Sequence, residues 1–63
     1  MKRLEQWLGK YGVVMRPEEV AKELRMHPTH IRELCRDGKL PATQIVGRWL
    51  IDTERLIMKI ENG

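Results

Sequence analysis

A chain of 63 residues buries only about 60% of its unfolded surface, which leaves no room for a deep, water-excluding catalytic cleft. With 41% apolar residues it still reads as a folded unit, and its single cysteine, Cys35, rules out an internal disulfide and suits a reducing, cytoplasmic setting. The net charge is +3, no stretch approaches the roughly 20 apolar residues of a membrane span, and "MKRLEQWLGKYG" lacks the apolar run of a signal peptide.

Leu4, Trp7 and Leu8 recur at i, i+3 and i+4, so the chain opens on a short amphipathic helix that Gly9 or Gly12 closes. Val13 to Met15 reads as a short extended piece leading inward. A second helix starts at Pro17, where a missing N–H costs nothing, with Glu18 and Glu19 at the positive end of its dipole. Val20, Ala21 and Leu24 form its buried stripe. Arg16 falls at the N-cap, where an oxygen-bearing side chain is the better choice, and nothing in the sequence accounts for it.

Pro28 cannot continue that helix and therefore starts another, "PTHIRELCRDG", which Gly38 stops in the left-handed conformation. Only Arg25, Met26 and His27 separate the two, a spacing that predicts a helix-turn-helix. Ile31, Leu34 and Cys35 point inward; Thr29, His30, Arg32, Glu33 and Arg36 point outward. Leu40-Pro41 redirects the chain into "ATQIVGRWLI", two short strands around a turn near Val46-Gly47. Ile45, Trp49 and Ile51 are expected to face inward, with Arg48 at or beside the tip. A last helix, capped by Asp52 or Thr53, buries Leu56, Ile57 and Ile60. The expected fold class is mostly α with a small β-hairpin, a winged helix-turn-helix. It forms one small domain over residues 1–63, with a core over 15–56 and residues 1–14 as a helical extension.

Positive charge gathers late in this order. Arg25, Arg32, Arg36, Lys39 and Arg48 outweigh Glu33 and Asp37 between residues 25 and 48, as on a phosphate-binding surface. Catalysis has no comparable support: Glu18 and Glu19 are adjacent and diverge on a helix, and no Gly-rich phosphate loop is present. His27, His30 and Cys35 fall short of the four ligands of a structural zinc site. Cys35 reads as a small buried hydrophobe, Trp7 and Trp49 as core anchors. No enzyme activity, cofactor, metal or small-molecule substrate is expected.

The residues "EEVAKEL" (Glu18 to Leu24), Ile31-Arg32, "RDGKLPA" (Arg36 to Ala42) and "GRWLI" (Gly47 to Ile51) together resemble the excisionase family, small DNA-binding relatives of the MerR-type winged helix. The likeness runs from about Met15 to Leu56. It departs at Arg16, where the family commonly has Thr, at Met26 to His30, where it has "V-S-x-x-T", and at Leu34-Cys35, where it often has an aromatic. The resemblance implies a recombination directionality factor of a phage or integrative element. Such a protein binds double-stranded DNA cooperatively at adjacent sites, bends it, and assists an integrase partner. In this chain the recognition helix would present His27, Thr29, His30, Arg32, Glu33 and Arg36. The wing and backbone contacts would come from Lys39, Gln44, Arg48 and Arg25. The N-terminal segment (Leu4, Trp7, Leu8) and the C-terminal helix either serve self-association on DNA or the integrase contact, or complete the core. A small transcriptional regulator of the same fold is the alternative, and a protein-interaction adaptor without DNA binding is the alternative of another class. With no heptad seam, the free protein is expected to be a monomer.

Overall fold

The structure, a computed structural model, describes residues 2–62. In chain order these form helix α1 (Lys2–Tyr11), strand β1 (Val14–Met15), helices α2 (Pro17–Leu24) and α3 (Pro28–Arg36), strands β2 (Ala42–Ile45) and β3 (Arg48–Asp52), and helix α4 (Thr53–Asn62). Helix, tight turn, helix and hairpin follow one another as expected, and the fold is a winged helix-turn-helix. None of the described helices is long and apolar enough to cross a membrane.

Each helix end has a local cause. Gly12, not Gly9, closes α1: it sits at φ 86° and donates its N–H back to the Leu8 carbonyl at 2.9 Å. At α2 the N-cap Arg16 has no oxygen to offer an orphan N–H, but Glu19 three residues on accepts from the Arg16 N–H at 2.8 Å. Half of a capping box is therefore present, and Pro17 at the first helical position removes one of the orphan N–H groups of the helix start. The helix ends on Arg25 in the left-handed region (φ 57°, ψ 46°), with the Met26 N–H returning to the Ala21 carbonyl at 2.9 Å. His27 then caps α3, its Nδ1 accepting from the Thr29 N–H at 3.1 Å. Gly38 at φ 74° closes α3, and the Lys39 N–H bonds the Leu34 carbonyl at 2.9 Å.

The extended piece at Val14–Met15 does more than lead inward. It pairs antiparallel with β3, Val14 opposite Asp52 and Met15 opposite Ile51, so the sheet has three strands in the order β1-β3-β2. The hairpin register sets Ala42 opposite Ile51, Gln44 opposite Trp49 and Ile45 opposite Arg48. This corrects one expectation. Ile45 lies on the face away from Trp49 and Ile51, and it is 51% exposed.

One cluster of buried side chains joins the layers: Trp7 from α1, Met15 and Ile51 from the sheet, Val20 and Ala21 from α2, Ile31 and Cys35 from α3, Leu56 and Ile57 from α4. Leu4, Tyr11, Leu24, Leu34, Trp49 and Ile60 pack around it, half-buried. Leu4 and Trp7 of α1 thus join the core, one of the uses open to this helix from sequence. Asp52 is the cap of α4, its Oδ1 accepting from the Arg55 N–H at 2.9 Å. Thr53, fully buried, instead donates its hydroxyl to the Gly12 carbonyl at 2.9 Å, while its N–H bonds the Val13 carbonyl at 3.0 Å.

Candidate nucleic-acid interface

Helix α3 carries two sides of different character. At about 100° per residue, Thr29, Arg32, Glu33 and Arg36 fall within one quarter or so of its circumference, with His30 flanking them and Ile31 and Cys35 opposite. All five of the polar residues are exposed. Little inside the chain engages them: His30 Nδ1 lies 3.7 Å from Glu33 and Arg36 Nε 4.0 Å from Asp37. His27 stands at the near end of this row. Its capping bond uses the Nδ1 lone pair, which places the ring proton on Nε2, an outward donor.

Arg32 behaves differently from its neighbours. Its Nη2 donates to Glu18 Oε2 at 2.6 Å, tying α3 to the first turn of α2. The Glu18 carboxyl is held below the usual carboxylate range, first by its own backbone N–H and then by Arg32. Both side chains are about half exposed, so the pair contributes at most about 1 kcal/mol and serves to orient the guanidinium.

That orientation directs Arg32 to an open cleft of about 670 Å³ between the start of α2, α3 and the hairpin. Arg16 and Arg48 line the same cleft, together with Glu18, Glu19 and Trp49. Three arginines from three separate elements therefore surround one groove. Each guanidinium presents five N–H donors in a planar fork, a geometry that matches phosphate oxygens.

A family profile described as a helix-turn-helix domain matches residues 14–62. The chain belongs to the helix-turn-helix domain family. No curated protein and no solved structure matches it. The helix-turn-helix is a DNA-binding motif, whose second helix enters the major groove while the first crosses the backbone. In this chain the second helix is α3.

The remaining residues expected at the interface lie outside the cleft. Arg25 is exposed in the turn between α2 and α3, and Lys39 is exposed just beyond the end of α3. Gln44 is exposed on β2 opposite Trp49. None of these three lines the cleft that holds Arg48 and Arg32. Arg16 does line it, and sequence reasoning passed it over as an ill-suited cap. The signal was there: a cation in a position that capping disfavours.

Proposed function

We propose that this helix-turn-helix protein binds double-stranded DNA sequence-specifically, with α3 in the major groove and the β2–β3 hairpin against the adjacent backbone or minor groove. Thr29, His30 and Glu33 are the base-reading candidates; Arg32 and Arg36 reach bases or phosphates; Arg48, Lys39, Arg25, Gln44 and the His27 Nε2 hold the backbone. The observation that carries the reading is the cleft shared by Arg16, Arg32 and Arg48, beside an exposed polar face of α3. Residues 1–63 act as one DNA-binding unit in this proposal.

The biological role proposed is that of an excisionase-type accessory factor. It would occupy adjacent sites cooperatively, bend the duplex and assist an integrase. The run from "EEVAKEL" through "RDGKLPA" to "GRWLI" supports the family likeness from which that role is proposed; a small transcriptional regulator of the same fold is the alternative.

The test is binding to random duplex, and to DNA from the protein's own genomic neighbourhood, across a salt series. Three to five phosphate contacts give a log–log slope of about −3 to −4.5, and Arg48→Ala should shrink its magnitude by about 0.9. Tighter, cooperative binding to an attachment-site fragment, with loss of excision when the gene is deleted, supports the excisionase role. Absence of binding at low salt overturns the DNA-binding proposal, and turns the search to a protein partner for the outer face of α3.

A further inference from the structure

The tip of the hairpin is built from the wrong residue for its shape. Val46 and Gly47 are the two central residues of the turn between β2 and β3, at φ 50° and φ 75°. Two positive φ values in a two-residue hairpin loop define the turn that Asn-Gly fills best, because its first position is left-handed. A β-branched residue there is an outlier, since its Cβ substituents crowd the backbone. Besides Arg25, Val46 is the one non-glycine described residue with positive φ.

Nothing among the described residues compensates. Val46 is 95% exposed and Ile45 beside it is 51% exposed, so the hairpin ends in two adjoining apolar side chains directed at solvent. An exposed valine alone is unremarked on most protein surfaces. A strained one, at the extremity of a hairpin whose next residue but one is an arginine of the basic cleft, calls for a purpose outside the chain.

We infer that the Ile45–Val46 tip is an apolar wedge that enters the DNA minor groove and partly unstacks a base step. This rests on the DNA-binding reading and extends it from charge to shape. Arg48 and its cleft partners hold the neighbouring phosphates, and the tip beside them is pressed into the groove. A two-stranded ribbon is too broad for a minor groove about 6 Å wide, so the strands stay outside and only the side chains at the tip enter. Apolar side chains inserted in this way kink the duplex, and pyrimidine–purine steps yield most readily. The hairpin thereby selects a deformable step without reading its base edges.

Two variants of the full chain separate the wedge from DNA binding as such. Val46→Asn relieves the strain and keeps the turn; Val46→Gly does the same without adding a hydrogen-bonding group. The probes are short duplexes with a central TA step or a central GC step, read by affinity over a salt series, by permanganate reactivity of the central thymines, and by end-to-end energy transfer. The parent should bend the TA duplex and expose its thymines. Val46→Asn should melt about 5 °C higher than the parent. Both variants should bind the TA duplex roughly tenfold more weakly, with the thymines protected and the salt slope unchanged. Parent-like affinity and reactivity in both variants overturn the wedge. So does a parent that binds with a steep salt slope yet leaves the thymines stacked, while the DNA-binding reading survives. If the parent binds neither duplex at low salt, both fall together. Variants that bind DNA normally but lose pairing between copies would reassign the tip to a protein contact and overturn the wedge.

Discussion

Arginine occupies two positions in this chain that local rules would give to another residue. Arg16 sits where an oxygen-bearing cap belongs and Arg25 where glycine belongs. At Arg25 the left-handed backbone costs a β-carbon-bearing residue about 1–2 kcal/mol, part of which glycine would return as chain entropy. Arg25→Gly should therefore stabilise the fold by about 0.5–1 kcal/mol in a urea melt, while weakening DNA binding if the guanidinium holds a phosphate. At Arg16 the reverse substitution is informative. Arg16→Ser restores an oxygen cap worth about 1 kcal/mol and removes one of the three guanidinium groups from the cleft, so stability should rise as affinity falls. Opposite signs in the two measurements mark residues kept for a partner; matching signs would make them ordinary surface arginines.

The elements divide sharply in how readable they were. Pro17, Pro28 and Gly38 punctuate α2 and α3 through constraints that act within a few residues, and those helices fall where the sequence put them. The hairpin turn at Val46-Gly47 was legible for the same reason. Strand β1 was not legible as a strand: two residues carry no periodicity, and its partners Ile51 and Asp52 are distant in the chain. The side on which Ile45 falls was missed because a two-residue turn fixes the register, and alternation then places Ile45 with Arg48. Of the candidate site, the exposed face of α3 followed from helical spacing. The cleft did not, because it needs the packing of three elements to bring Arg16 to Arg32 and Arg48. The junction of α4 offers a test at this scale. Asp52→Ala should cost about 1 kcal/mol through loss of the cap. Thr53→Val, nearly the same shape, should cost about 1 kcal/mol by removing the part-buried bond to the Gly12 carbonyl.

Across the whole molecule, a clasp between α1 and α2 makes stability depend on pH from both sides. Glu23 accepts from the Tyr11 hydroxyl and from Lys10 Nζ, the latter at 3.0 Å. These two bonds, Tyr11 first, hold the Glu23 carboxyl below its ordinary range, and the same bonds push Lys10 and Tyr11 above theirs. A carboxylate whose pKa is lowered on folding lends stability above its unfolded value, about 4.3, and loses it as pH falls through the folded value. Glu18, lowered by its backbone N–H and Arg32, adds to the same acid limb. Lys10 and Tyr11 act in the opposite sense, lending stability below about pH 10 that fades as the solution becomes more alkaline. Thermal melts should therefore show a plateau that declines below about pH 4.5 and above about pH 10, with Glu23→Gln flattening both shoulders. The buried Trp7 gives the same helix a consequence for anyone choosing where to cut the gene. The family profile begins at residue 14, after α1 has ended. A fragment trimmed to that homology boundary would lose the indole and, with it, about 3–5 kcal/mol of packing. That is comparable to the whole reserve of about 3–9 kcal/mol that 63 residues can muster. The stretch that the family profile matches and the stretch that shares one buried core are different lengths of chain.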